Sequence, residues 1–376
     1  MPLIRYVTRI HFADYVLEDA LEVELRRLGI GRPLVILDAA AAASDFWYRL
    51  ERGLRAGGDP VFFELREPLP TVAACGAAAA RYLARDCDGI VGFGAPQAID
   101  LAKVTGLRVS HGEELARYAT AEGGAARIRE EVPPTIAIPT TAGAGSEVHC
   151  CVKLRLEDGS RQTFASRALL PRVAILDPSL VHGLPSETGA AQGACVLMRC
   201  FETFLASPFN PPAEGLALDG LRRAWRAIDP FVESDDLDAR REMMAAALEG
   251  GLASQKGVGI GHALVDALAG LAAEDGDPGR IAAVLLPSVL EFNRPAVGAR
   301  WSQLESAIDA GPGTTLAASV RDRLRRLGLP RRLGQLGIDP GMIALAAERA
   351  ESDCAYRTNP RRARVEELRE LMLALL

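Results

Sequence analysis

The chain has 376 residues, a formal charge of −6 and 49% apolar residues, which allows two domains of ordinary size, each with a substantial core. Charges of both signs are interspersed, and no basic block or aromatic-basic stripe points to nucleic acid. No stretch reaches the roughly 18 uncharged apolar residues of a membrane helix, and the seven cysteines show no CxxC spacing.

The opening segment MPLIRYVTRIHFADY has no long apolar run, so no signal peptide is expected. The cysteines then read as reduced thiols, and a soluble cytoplasmic enzyme is the default.

Pro33 to Asp38 is predicted as a buried strand ending in an acid, and the Ala-rich stretch Ala39 to Leu54 as a helix. Pro60 to Glu64 is a second strand, Thr71 to Arg85 a helix, and Gly89 to Phe93 a third strand. Thr135 to Pro139 and Val173 to Asp177 follow as two more. Strands separated by helix-length segments predict a parallel sheet with helices on both faces. After Leu184-Pro185 the β-branched runs vanish. Amphipathic runs take over at Ser186 to Leu205, Ala213 to Trp225, Leu237 to Leu268 and Ile281 to Phe292. The expected organisation is an α/β domain over residues 1–185 and an all-helical domain over 186–376.

Ile136 to Val148, IAIPTTAGAGSEV, resembles the IPTTAGTGSEV signature of the iron-containing (group III) alcohol dehydrogenases, departing only at Ala144. Val173 to Pro178, Leu184-Pro185, Gly257 to Leu264, Leu285 to Pro287 and Thr358 to Arg361 match further family segments in order. The resemblance covers nearly the whole chain. It implies the dehydroquinate synthase-like fold: a dinucleotide-binding α/β domain, a helical domain, and a catalytic cleft between them. It also implies a homodimer acting on a small-molecule substrate; the charge distribution and the lengths of the apolar runs predict no nucleic-acid or membrane partner.

Asp38 stands at a strand end where the family often holds an Asp that favours NAD; the other reading is a helix N-cap. The family pattern IVxxGGGSxxDxxK aligns onto Ile90 to Lys103 and keeps Gly94, Asp100 and Lys103. Its other two glycines and its serine become Ala95, Pro96 and Gln97. Proline has no N–H for a phosphate, and alanine adds a Cβ where close approach matters. Thr140, Thr141 and Ser146 are intact; in the family the two threonines lie by the cofactor, and their other role is turn and cap hydrogen bonding. NAD binding through Asp38, Gly94, Asp100, Lys103, Thr140, Thr141 and Ser146 is therefore expected, in weakened form.

The family holds its metal with one Asp and three His. Those positions fall on Cys195, Arg199, His262 and Pro278, so only His262 is kept. A further family histidine is Asp266 here. Arginine does not ligate and repels a cation, so no metal is expected. Three readings of the remnant stay open. In the first, Arg199 takes the cationic place, binding a carboxylate or polarising a carbonyl, with His262 as proton donor. In the second, Cys195, His262 and Asp266 form a thiol nucleophile constellation with Arg199 lowering the thiol pKa. The third is a structural, non-catalytic remnant, with Arg199 paired to an acid such as Asp266. The leading expectation is a metal-independent, NAD(P)-linked reductase of a small polar or anionic carbonyl compound.

Weaker candidates are Arg161, at a family lysine position after a hairpin at Asp158-Gly159, and His149 with Cys150-Cys151 after the best motif. His149 reads equally as a strand residue. His11, His111 and His182 have no spacing partner and read as structural or surface residues.

Overall fold

The computed structural model describes residues 4, 6–55, 58–112, 114–143, 145–157, 161–234, 236–272, 276–311 and 313–376. They fall into two compact units: Leu3–Thr141 with Gly145–His182, and Gly183–Leu376 with Ala142–Ala144.

The first unit begins with strand β1 (Arg9–Phe12), helix α1 (Leu17–Leu28), strand β2 (Pro33–Asp38) and helices α2 (Ala39–Ala42) and α3 (Trp47–Leu54). Strand β3 (Val61–Leu65), helix α4 (Val72–Ala84), strand β4 (Gly89–Gly94), helix α5 (Pro96–His111) and strand β5 (Thr135–Pro139) follow. Strands β6 (Cys151–Arg155), β7 (Arg161–Ala165) and β8 (Val173–Leu176) complete it. Six strands form one sheet in the order β1-β8-β5-β4-β2-β3, with every pairing parallel. β6 and β7 form a separate antiparallel pair in which Arg155 faces Arg161. The hairpin tip expected at Asp158-Gly159 lies outside the described residues.

The period of two in β2 explains the layering. Leu34 and Ile36 pack into one core, Val35 and Leu37 into the other. Both faces are covered, so the central strands read as unbroken apolar runs. α5 lies so close to β4 that a Cβ on Gly92 would meet the Ala102 side chain at 3.0 Å and the Ile99 backbone at 3.1 Å.

The second unit holds α6 (Ser186–Leu205), α7 (Pro211–Glu233), α8 (Leu237–Ala253), α9 (Ile260–Leu271) and α10 (Pro278–Asn293). After these come α11 (Arg300–Ala307), α12 (Leu316–Arg326), α13 (Pro340–Ser352) and α14 (Val365–Leu373). No described residue after β8 is in a strand. No described helix is long and apolar enough to cross a membrane.

Three expectations change. The single helix over Ala39 to Leu54 is two, because Ser44 Oγ donates to Ala41 O at 2.7 Å and turns the chain. The run Leu237 to Leu268 breaks after Ala253 into a 3-10 turn at Ser254–Lys256 and Gly257 at φ 115°. Periodicity did not register that stop, because a glycine in an apolar run leaves the pattern intact. β1 and α1 were not expected at all. β1 is four residues long at the sheet edge, alternating basic and apolar side chains, too short to show a period.

Candidate functional site

In the first unit Asp38, Gly94, Thr140 and Thr141 lie at the carboxyl ends of β2, β4 and β5, where open parallel sheets bind ligands. Asp38 ends β2 and is nearly buried. Its Oδ1 accepts the Ala41 N–H at 2.9 Å, which caps α2. Its Oδ2 accepts the Ala95 N–H at 2.6 Å. The helix-cap reading of Asp38 is thus realised, and the same carboxylate ties down the loop after β4. Gly94, at φ 141°, is required there: a Cβ would stand 2.3 Å from Asp38 Oδ2.

That tie consumes a donor. The Ala95 N–H points at Asp38, Pro96 has none, and the Ala98 N–H donates to Ala95 O at 3.0 Å. Among residues 95–98 only Gln97 keeps a backbone N–H for a phosphate.

Lys103 on α5 is 2% exposed. Its Nζ donates to Ser146 Oγ at 3.0 Å and His149 O at 3.1 Å and pairs with Asp100 Oδ1 at 3.4 Å. Ser146 Oγ also donates to Asp100. Asp100, Lys103 and Ser146 are therefore one network. Thr140 N donates to Gly94 O at 3.0 Å, fixing the end of β5 against β4. Thr141 Oγ1 is buried without a hydrogen-bond partner, the kind of polar atom that a ligand would satisfy.

His149 lies outside β6, and its Nδ1 accepts the Cys151 N–H at 3.2 Å. Arg161 opens β7, and its Nη1 is buried with no partner. Burial pushes its pKa down, Asp100 opposes that, and Arg155 adds to it.

In the second unit α6 carries Cys195, Arg199 and Glu202, at i, i+4 and i+7 on one face. Glu202 is 2% exposed and faces the start of α9. Its oxygens accept backbone N–H groups from Gly259 at 3.2 Å, Gly261 at 2.6 Å and His262 at 3.0 Å. His262 Nδ1 lies 2.5 Å from Glu202 Oε2. Both oxygens already accept amide hydrogens, so Nδ1 is placed as the donor, and proton exchange falls to Nε2. A Cβ on Gly259 or Gly261 would strike Glu202 at 2.6 or 2.7 Å, which is why this helix starts on glycines.

Sequence reasoning passed over Glu202. The signal was available: it stands three residues after Arg199 on the presenting face.

No ion pair of Arg199 with a carboxylate is found among the described residues, and its Nε is buried without a hydrogen-bond partner. The suggested pair with Asp266 does not form. Burial pushes the Cys195 thiol up to about 12; Asp277 adds to the rise, and Arg199 only offsets it. That is the reverse of an activated nucleophile. Asp277 caps α10 by accepting the Arg280 N–H at 2.9 Å, with Pro278 next in the first turn. At Gly279 α10 nearly touches α6: a Cβ would lie 2.1 Å from Ala191 O.

The donor set does not suit the family's iron. At three of the four positions that the family resemblance assigns to ligands stand a half-buried neutral thiol, a guanidinium and a proline, and no group of three or more His, Cys, Asp or Glu among the described residues could hold a metal.

Comparison with known proteins adds the following. The model of the iron-containing alcohol dehydrogenases matches residues 8–178, and that of the Fe-containing alcohol dehydrogenase family, C-terminal, matches residues 190–376. The chain is 39% identical to a 4-hydroxybutyrate dehydrogenase of Cupriavidus necator, over 99% of both. It is 24% identical to an NAD-dependent methanol dehydrogenase of Bacillus methanolicus, over 93% of both. A solved 1,3-propanediol oxidoreductase superposes with a TM-score of 0.91 at 26% identity, covering 100% of both chains.

Proposed function

The chain belongs to the iron-containing alcohol dehydrogenase family, and on that premise we propose that it is an NAD-linked dehydrogenase that interconverts a small ω-hydroxy acid and its aldehyde without the family's metal. The substrate class follows the 4-hydroxybutyrate dehydrogenase that it resembles along its length. Oxidation at the terminal alcohol of such a compound gives an aldehyde that keeps its carboxylate, a small anionic carbonyl compound.

The observation that carries the reading is Arg199, a guanidinium with a buried, unpartnered N–H on α6, on the same helix face as the Glu202 carboxylate that holds His262. A fixed, unpaired cation is suited to an anionic substrate or a developing oxyanion. It cannot make hydroxide from water as a metal does, and a dehydrogenase does not need it to.

NAD, when bound, supplies or accepts the hydride. The chain's residues suit it in reduced form. Thr141 offers an unpaired hydroxyl, Gln97 one backbone N–H, and Lys103 a positive charge for the phosphates. In the reducing direction Arg199 holds the carboxylate or the carbonyl oxygen. His262, held at Nδ1 by Glu202, donates from Nε2 to the nascent alkoxide; in the oxidising direction it takes that proton back.

The test is NADH consumption with 4-oxobutanoate in the presence of a strong chelator. Turnover that survives chelation supports the reading. Turnover that collapses and returns with Fe²⁺ or Zn²⁺ defeats metal independence, and no turnover with any small aldehyde defeats the dehydrogenase reading. The repurposed thiol constellation is disfavoured by the raised Cys195 thiol.

A further inference from the structure

The segment Thr358 to Arg361 lies against the start of α9, the helix that carries His262. A helix start leaves its first N–H groups without acceptors inside the helix. Here each of them is taken from outside. The Ala263 N–H makes the first bond of the turn, to Gly259 O at 3.3 Å. Ahead of it, Glu202 accepts the N–H groups of Gly259, Gly261 and His262. The Ile260 N–H donates instead to Asn359 Oδ1 at 3.2 Å. Glu202 and Asn359 clasp the same turn: a Cβ on Gly259 would stand 2.6 Å from Glu202 Oε1 and 2.7 Å from Asn359 Oδ1.

Asn359 is itself held at both ends of its amide. Its Nδ2 donates to Arg361 O at 2.6 Å and to Asn293 Oδ1 at 2.7 Å, and its Oδ1 also accepts from Asn293 Nδ2 at 3.1 Å. Both asparagines are buried. The Ile260 N–H can only donate and the Arg361 carbonyl can only accept, so the backbone dictates which way the amide points. Asn293 ends α10, and Arg361 Nη1 donates to Phe292 O at 3.1 Å. Thr358 Oγ1 donates to Val258 O at 2.6 Å. The segment thus ties the end of α10 to the start of α9 through polar contacts, and a buried polar network with its groups satisfied specifies one arrangement.

We propose that Asn359, locked by Asn293, is a positioning residue for His262. Glu202 fixes the imidazole relative to its carboxylate, and Asn359 fixes where the helix that bears the imidazole begins. Together they hold the ring as the Nδ1–H tautomer, with Nε2 as the proton-exchanging atom. Asn359 acts through the Ile260 N–H and the first turn of α9. What this means for turnover rests on the proposed role of His262, whereas what it means for the ring does not.

The experiment reads the ring and the reaction separately. In protein with isotope-labelled histidine, the NMR shifts of the two ring nitrogens report which one carries the proton, and His262→Gln assigns the signals. The neutral wild-type ring should show a single tautomer protonated at Nδ1, with a low-field proton from the short hydrogen bond to Glu202. Asn359→Ala, which takes the acceptor from the Ile260 N–H, should lose the low-field proton and mix the tautomers. Asn293→Ala, which leaves that bond but unlocks the amide, should do so in part. Turnover of 4-oxobutanoate should fall on the order of tenfold to a hundredfold in Asn359→Ala and less in Asn293→Ala, with KM and the Kd for NADH unchanged. A wild-type ring that is mixed, or protonated at Nε2, overturns the proposal whatever the activity. So does an Asn359→Ala protein that melts lower but keeps both the tautomer and kcat, since the asparagine is then structural only. Mixed tautomers with unchanged turnover uphold the positioning of the ring and defeat the proposed role of His262 instead. If Asn359→Ala does not fold, Asn293→Ala carries the same test, and an unperturbed ring in that variant overturns the proposal.

Discussion

Replacing Arg199 by Met separates its two possible roles, because the structure makes them predict opposite changes in stability. Arg199 has no ion pair among the described residues, and its Nε is already a buried donor without an acceptor. Truncation therefore abandons no partner. It relieves an unsatisfied N–H, which costs about 1–3 kcal/mol where burial is complete; the melting temperature should hold or rise slightly. A structural ion pair would instead lose stability on truncation. Activity should move the other way. Loss of one preorganised donor aimed at developing charge costs about 3 kcal/mol, roughly two orders of magnitude in turnover. The assay pairs 4-oxobutanoate with butanal, which has the same chain length and no carboxylate. If Arg199 holds the carboxylate, the variant loses its preference for 4-oxobutanoate and butanal is unaffected. If it acts on the carbonyl oxygen, both rates fall together. Unchanged kcat/KM for both substrates in a folded variant would refute its place in the mechanism.

Elemental analysis of protein purified without added metal should find well below one iron or zinc per chain; one tightly held ion lost in His262→Ala would overturn the fit argument. Calorimetry should show NADH binding more tightly than NADPH, because a 2′-phosphate beside the Asp38 carboxylate costs on the order of 1–3 kcal/mol; Asp38→Asn should narrow the gap, and tighter NADPH binding by the wild type would reject the role given to Asp38. Glu202→Ala should lower both stability and activity, since it removes the acceptor for three backbone N–H groups and for His262. Glu202→Gln should recover part of the stability and less of the turnover, and a Glu202→Ala protein with wild-type turnover would dismiss the His262 assignment. Glu249, pushed up to about 7 by burial and by nearby Asp219 against the lowering effect of Arg223, gives a pH signature. A carboxyl raised in the folded state binds more protons there than when unfolded. Its contribution is complete below the ordinary carboxylate range and is lost as pH rises through about 7. Glu249→Gln should flatten the fall in melting temperature over that interval, and an unchanged pH profile would remove Glu249 as its source.

The sheet was legible because its strands are buried on both faces, so β2, β4 and β5 appear as apolar runs without needing a period. The helical unit was legible in outline but not at its breaks. The stop at Gly257 is set by a distant contact: a Cβ there would strike the Thr358 side chain at 2.5 Å, and no local pattern carries that. The site was legible where a residue type contradicts its expected task, as at Pro96 and Arg199. It was illegible where a residue has an ordinary local appearance and a long-range partner. Glu202 looks like one more helix carboxylate until α9 folds against it.

The two departures from the family pattern share a physical logic. In the loop after β4 a phosphate would compete with Asp38 for the Ala95 N–H, which is already satisfied at 2.6 Å. The chain has closed that donor internally, and binding through it would first require breaking a charge-assisted hydrogen bond. Under the proposed function cofactor affinity comes from other groups, among them Thr141 Oγ1, which the structure leaves without a hydrogen-bond partner at the end of β5. On α6 the change runs in the other direction: where the family places a neutral ligand for a cation, this chain places a cation and leaves part of it unsatisfied. One site has lost a donor for anions and the other has gained one. Under the proposed function, the positive charge that the family borrows from a metal is carried by Arg199, a guanidinium suited to carboxylates and oxyanions that a chelator cannot remove.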